Sequence, residues 1–272
     1  MPETDLSLLI AAAEAAGDIA CRYTGPEAKI WDKPDGAGPV TEADLAVNDM
    51  LERRLRGVRP GYGWLSEETE DSRDRLAHEH VFIVDPIDGT RSFSKGERTW
   101  AHALAVARAG VVTAAVIYLP MCDLLYSAAR GEGARLNGKP IHVGPAAALA
   151  QATILAARPI LEPRHWRAGS FPGFKSAYRP SLAYRMALVA QGRFDGMLTL
   201  RPSWEWDIAA GDLILREAGA ACTDRRGARL RFNNPRPQLD GVIAAAPDLH
   251  DRIASALAPE PLVLPARRPP AS

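Results

Sequence analysis

The apolar run Val81-Phe82-Ile83-Val84, followed at once by Asp85-Pro86-Ile87-Asp88-Gly89-Thr90, constrains this chain more than any other stretch. Four apolar residues, mostly β-branched, predict a buried strand. Pro86 and Gly89 predict that the chain then turns. The turn sets two carboxylates at a strand end, beside a glycine and a hydroxyl. Oxygen donors gathered in this way suit a hard cation, and N–H groups at a helix start suit a phosphate. A phosphoryl group asks little more of a protein than charge neutralisation and a positioned water.

Charge excludes some partners. Lys and Arg number 33, as do Asp and Glu, so no net field draws the chain to a nucleic-acid polymer or an anionic membrane. A small phosphorylated ligand held by local groups is still allowed. The 272 residues, 47% of them apolar, suffice for one large domain or two small ones. Cys21, Cys122 and Cys222 are scattered without a CxxC, which speaks against a disulfide framework or structural zinc and for a reducing cytoplasm. The start of the chain is acidic and lacks a signal-peptide basic region. Its apolar stretch 8–20 holds Glu14 and Asp18 and is too short to span a bilayer, so no integral membrane segment is expected.

Periodicity predicts helices over 6–23, 42–56, 182–191 and 207–217, the second N-capped by Thr41. Strands are predicted over 63–66, 81–84, 101–108, 111–118, 124–129, 153–157, 196–200 and 241–245. Helices and strands mix without strict alternation, which favours an α+β or mixed α/β fold over a doubly wound sheet. A composition change near 143–150 divides the chain into 1–145 and 146–272, with a disordered tail from about 259.

Six carboxylates stand at element ends: Asp44, Glu67, Glu68, Asp85, Asp88 and Asp207. Gathered by the fold, they would coordinate two or three Mg²⁺ ions. Singly, each has a plainer reading: a turn at 85–89, a helix N-cap at Asp207, a solvated pair at Glu67-Glu68, a helix start at Asp44. Their order adds information. Ser66-Glu67-Glu68, Asp85-Pro86-Ile87-Asp88-Gly89-Thr90, and Trp206-Asp207-Ile208-Ala209-Ala210 followed by Glu217-Ala218-Gly219 resemble the signatures of the inositol monophosphatase superfamily. Its members are Mg²⁺-dependent, lithium-sensitive phosphatases.

The resemblance, which runs from about Lys33 to Arg231, implies a layered α-β-α-β-α sandwich, and a homodimer is common in the family. It implies that Glu67, Asp85 and the Ile87 carbonyl hold one metal, and Asp85, Asp88 and Asp207 a second. A third would sit near Glu67 and Glu68. Thr90, oriented by Asp44, would position or deprotonate the attacking water, and the Gly89 and Thr90 N–H groups would bind phosphate. Lys33 would lie on a mobile active-site loop unless it is a plain surface lysine, and the Gly- and Pro-rich stretch 34–39 after it is expected to be mobile and to close over substrate. His102, His142 and His165 lie outside these motifs and read as packing or surface residues.

Within the superfamily, Leu65-Ser66-Glu67-Glu68, the junction from Gly38 to Asp44, and Arg91 after the threonine are similar to 3′(2′),5′-bisphosphate nucleotidases. The product of such an enzyme acting on adenosine 3′,5′-bisphosphate would be AMP. Leu200 stands where inositol monophosphatases carry a ring-binding glutamate. Pro180-Ser181-Leu182 replaces the Gly-Ser pair of many relatives. Arg185 and Arg179 would grip a second phosphate bidentately, unless they are helix-surface arginines. Thr90-Arg91-Ser92-Phe93 is also similar to histidinol-phosphate phosphatases, so inositol, histidinol or sugar phosphates are alternative substrates. A catalytically silent metal- or nucleotide-binding relative is the alternative of another class.

Overall fold

The computed structural model describes residues 3–23, 29–32 and 39–259. Lys33, most of the stretch 34–39 expected to be mobile, and the residues from 260 on, expected to form a disordered tail, lie outside the described residues.

Helix α1 (Asp5–Ala20) is N-capped by Thr4, and α2 (Glu42–Val58) by Thr41 in a capping box with Asp44. Between them pair the short strands β1 (Ile30–Asp32) and β2 (Pro39–Thr41). A seven-stranded sheet follows in the order β3 (Gly63–Ser66), β4 (His80–Asp88), β5 (Ala101–Arg108), β6 (Val111–Leu119), β7 (Leu124–Ala129), β8 (Ala134–Leu136), β9 (Lys139–Ile141). Only β3 and β4 are parallel; the later neighbours are antiparallel. The short helix α3 (Thr90–Ser94) leaves the end of β4.

The second half builds a five-stranded sheet from β10 (Thr153–Ala156), β11 (Lys175–Ala177), β12 (Gly196–Thr199), β14 (Ala221–Thr223) and β16 (Val242–Ala245), in the order β11-β10-β12-β16-β14. A small pair joins β13 (Ser203–Trp204) to β15 (Gln238–Leu239). Helices α4 (Leu182–Ala190), α5 (Glu205–Glu217) and α6 (Pro247–Ala256) complete the described chain.

Strand alternation sets the layers. On β5, Leu104 and Val106 face α1 and α2, burying Leu9, Leu51 and Phe82 with them. Ala101, Ala103, Ala105 and Ala107 face the other way, where their small side chains let α4 and α5 pack close to the sheet. The opposite sides of α4 and α5 share this core with Leu155, Met197 and Ala244 of the second sheet. That sheet's outer face buries Ile154, Leu198 and Ile243 against Leu249 and Ile253 of α6. The result is a layered α-β-α-β-α sandwich. Each fully buried Leu or Phe contributes about 1.5–3 kcal/mol to it.

Two sequence expectations are corrected. Pro86 does not turn the chain, because β4 runs on to Asp88. Proline has no N–H for the ladder, and the strand absorbs it in a bulge: Asp85 pairs with Ala103 and Asp88 with Ala101, a step of three residues against two. The turn comes at Gly89, whose φ of +97° is costly for any residue with a Cβ. Helix α5 also begins earlier than expected, so Asp207 lies in its first turn and Trp204 holds the N-cap position. No helix among the described residues is long and apolar enough to cross a membrane.

Candidate metal centre and its adjoining cavity

The bulged end of β4 and the first turn of α5 meet. Carboxylate oxygens of Asp85, Asp88 and Asp207 lie within 4.8 Å of one another. Asp85 and Asp88 are buried. Burial, then repulsion from Glu67, Asp88, Asp207 and Asp44, pushes the Asp85 carboxyl well above the usual carboxylate range. Burial, then Asp88 and Glu67, does the same to Asp207. Asp88 is also raised by burial, but hydrogen bonds from Ser181 and α4 amides and the Arg185 charge oppose the rise.

Asp85 Oδ1 is buried without a hydrogen-bond partner. Three enclosed carboxylates facing one another, one with an orphan oxygen, are an unfavourable arrangement unless a cation or protons join them. The all-oxygen donor set fits a hard divalent ion such as Mg²⁺ rather than zinc.

Beside this cluster, Thr90 Oγ1 lies 3.4 Å from Asp44 Oδ1 and 3.1 Å from the Ile87 carbonyl oxygen. Asp44 is held rigidly: its Oδ2 accepts from the Thr41 N–H at 2.8 Å and the Thr41 hydroxyl at 2.6 Å. The capping box of α2 therefore orients the carboxylate that faces Thr90. The motif could have been read from Thr41-Glu42-Ala43-Asp44, although its carboxylate is an aspartate rather than the usual glutamate.

Glu67 and Glu68 follow β3 but are not part of the 4.8 Å convergence. Glu67 is near enough for its charge to act on Asp85 and Asp207. The Glu68 N–H donates to Ser66 Oγ at 3.3 Å. Gly89 and Thr90 open α3 directly beside the cluster. His102 is a packing residue, edge-on to Trp100, with Nδ1 bonded to the Pro86 carbonyl. A carbonyl only accepts, so Nδ1 carries the proton, while Nε2 is buried without a partner.

A cavity of about 480 Å³ is linked to the cluster through Arg185 and Arg201, whose charges act on Asp88 and Asp207. Ile160, Leu198 and Leu200 supply apolar wall, and Arg164, Arg185 and Arg201 supply charge; no carboxylate among the described residues lines it. Arg185 is buried, which corrects the helix-surface alternative. Its Nε bonds the Arg179 carbonyl, its Nη2 the Pro180 carbonyl at 3.3 Å, and its guanidinium stacks 4.3 Å from the Tyr178 ring centre. Arg179 instead lies 5.5 Å over the Phe194 ring and does not line the cavity.

Sequence reasoning missed Ser181 as a partner of the centre. Its hydroxyl donates to Asp88 Oδ2 at 2.7 Å, and the Ala183 N–H donates to the same oxygen at 2.6 Å. Ser181 directly before an apolar helix was a readable N-cap, but its second bond, 93 residues away, was not. Glu217 serves the fold, since its carboxylate accepts from the Gly131 and Gly133 amides at 2.9 Å each.

The sequence profile of the inositol monophosphatase family matches residues 1–261. The chain is 35% identical to an inositol-1-monophosphatase of Rhizobium meliloti, over 82% of this chain and 86% of that protein. It is 32% identical to a histidinol-phosphatase of Mycobacterium tuberculosis, over 94% and 99%. Among solved structures, the extragenic suppressor protein SuhB of Bartonella henselae superposes with a TM-score of 0.74 at 30% identity, covering 91% of this chain and 95% of that one. The IMPase of Thermotoga maritima superposes with a TM-score of 0.76 at 26% identity, covering 92% and 94%. With its five layers and its acidic centre accounted for in this way, the protein belongs to the inositol monophosphatase family.

Proposed function

We propose that the chain is a Mg²⁺-dependent phosphomonoesterase whose leaving group carries a further anionic group, best met by 3′(2′),5′-bisphosphate nucleotidase activity releasing AMP and phosphate from adenosine 3′,5′-bisphosphate. The observation that carries the choice of substrate is the cavity whose Arg185 and Arg201 act on Asp88 and Asp207, lined by three arginines and, among the described residues, by no carboxylate. A second phosphate would meet guanidinium groups there, and a nucleoside would meet Tyr178, Ile160 and Leu198. Histidinol, a cation, would meet only like charge. An inositol ring would meet Leu200 where a hydroxyl acceptor is wanted. Cysteines that form no disulfide among the described residues are consistent with a cytoplasmic setting.

Asp85, Asp88 and Asp207, with Glu67 and the Ile87 carbonyl, would hold Mg²⁺, and Glu68 would help hold a further ion. Bound there, the metal would supply positive charge to the phosphoryl oxygens and make water more acidic. Thr90 Oγ1 has one proton and two acceptors, Asp44 Oδ1 and the Ile87 carbonyl oxygen. Donating to either leaves its lone pairs to accept from the attacking water, which fixes that water's direction and draws on its proton. The amides of Gly89 and Thr90 would orient the phosphate, and Lys33 would add charge from the loop. Arg185 and Arg201 would orient the leaving group. Their charges act on Asp88 and Asp207 respectively, which supports a position beside the reacting end of the cavity.

Phosphate release with Mg²⁺ from adenosine 3′,5′-bisphosphate, inositol 1-phosphate, histidinol phosphate and fructose 1,6-bisphosphate tests this reading. A kcat/KM at least about a hundredfold higher on the nucleotide, nearly 3 kcal/mol of discrimination, is expected. A preference for histidinol phosphate would overturn the electrostatic argument, and release from none would overturn the activity.

A further inference from the structure

Arg75 is the largest fully buried charged side chain among the described residues, and it lies outside every motif discussed above. It sits in a short 3₁₀ turn, Asp74–Ala77, within the segment that links β3 to β4. Its guanidinium grips Asp71 with two parallel bonds of 2.9 and 2.7 Å. The same group reaches across to a loop of the second half, donating to Asn233 Oδ1 at 2.6 Å and to the Asn234 carbonyl at 2.9 Å. Asn233 returns a bond from its side-chain amide to the Arg75 carbonyl at 3.2 Å.

The loop passes the restraint on. Asn233 and Asn234 donate their backbone N–H groups to Glu205 at 2.6 and 2.9 Å, and the Asn234 side chain adds a bond of 2.7 Å. Glu205 is fully buried, is the first residue of α5, and stands two residues before Asp207. At the other end the turn is seated on β3, the strand that leads into Glu67. A Cβ added at Gly63 would come within 3.0 Å of Arg75 Cα and Cβ, so glycine is what lets the turn lie there.

We propose that Arg75 is a positioning residue for the metal centre: it ties the segment carrying Glu67 to the helix carrying Asp207 and so sets the affinity for the cation. Such a chain of charge-assisted bonds, anchored on the buried Arg75 and Glu205, fixes the spacing between two elements more rigidly than apolar contact does. Removing the guanidinium leaves Asp71 without its cation and the loop of Asn233 and Asn234 without its anchor. Lysine cannot replace it, because a single ammonium cannot hold Asp71 bidentately while also bonding Asn233 and Asn234. The proposal rests on the reading of Glu67, Asp85, Asp88 and Asp207 as metal ligands.

Mn²⁺ binding followed by electron paramagnetic resonance tests it without relying on turnover. Arg75→Met and Arg75→Lys should both weaken Mn²⁺ binding by about tenfold, the size seen when outer partners of metal ligands are lost. Asp71→Asn, which leaves the bonds to Asn233 and Asn234 in place, should weaken it in the same direction by about threefold. Leu51→Ala, on the buried face of α2, should lower the melting temperature and leave Mn²⁺ affinity unchanged. If Arg75→Met does not fold, Asp71→Asn carries the test. Wild-type affinity in folded Arg75 variants or in Asp71→Asn would overturn the proposal, as would an equal loss in Leu51→Ala. Wild-type protein that binds no Mn²⁺ would overturn the metal reading beneath it.

Discussion

Thr90 shows how much one hydroxyl is asked to do. It has a single proton, two acceptors within 3.4 Å, and a carboxylate behind it that the α2 cap already holds by two bonds. Thr90→Val keeps the shape and removes the oxygen. It should lower kcat by about 10²–10⁴, the range for general acid–base groups, and leave Mg²⁺ affinity within about twofold. Unchanged kcat would show that water is directed by something else. Arg185 poses the complementary question on the substrate side. Its backbone-anchored guanidinium should matter only when the leaving group is charged. Arg185→Met should cost adenosine 3′,5′-bisphosphate hydrolysis about 1.5–3 kcal/mol in kcat/KM, and cost a monophosphate substrate less than about 0.5 kcal/mol. Equal losses on both would mean that the residue serves the fold alone.

At the scale of elements, the centre is assembled where a bulged strand end, a helix start and a second helix start converge. Helix α4 points its N-terminal amides and Ser181 at Asp88, so that a carboxylate of the first sheet is bonded by a helix packed beneath it. Ser181→Ala loses both the cap and one bond to a carboxylate. It should destabilise the protein by about 1–2 kcal/mol in urea unfolding and weaken Mg²⁺ binding measured by calorimetry. Loss of stability with unaltered Mg²⁺ affinity would reduce Ser181 to a helix cap. These elements were unequally legible. The apolar run before Asp85, the stripe of α1 and the Thr41 cap carry local signals, and the structure has a strand, a helix and a capping box there. The bulge at Pro86 was not legible, because proline signals a turn as readily as an edge or a bulge, and only pairing with β5 selects between them. The short strands β1, β2, β11, β13, β14 and β15 were missed, because each is brief and formed by its pairing; helix α6 was missed although Pro247 at its start and Leu249 and Ile253 on one buried face were local signals. The Arg75 network was invisible for another reason. Its partners lie up to 159 residues apart, and nothing in the residues around Arg75 announces that it is buried.

The whole molecule places its buried polar groups between layers, where they respond to pH. His102 lies on β5, and burial holds its pKa down at about 4, against 6.5 when exposed. The unfolded chain therefore takes up a proton near pH 6.5 that the folded chain refuses until about pH 4. Stability from this residue is complete above about pH 6.5 and is lost as pH falls, by up to about 3 kcal/mol. His102→Asn cannot titrate, so the stability difference between wild type and variant should shrink in urea unfolding from about pH 7 to about pH 4.5. A difference constant with pH would contradict the assignment of a neutral buried imidazole. The same sandwich brings Asp207 of the second half to Asp85 and Asp88 of the first, and the proposed chemistry depends on that meeting. The most direct test is calorimetric titration of Mg²⁺ into wild type and Asp207→Asn, with phosphate release measured on the same samples. The variant is expected to stay folded, to bind Mg²⁺ at least about tenfold more weakly and to lose at least about a hundredfold in kcat. Asp207→Asn that binds Mg²⁺ and turns over as wild type does would contradict a metal centre shared between the two halves.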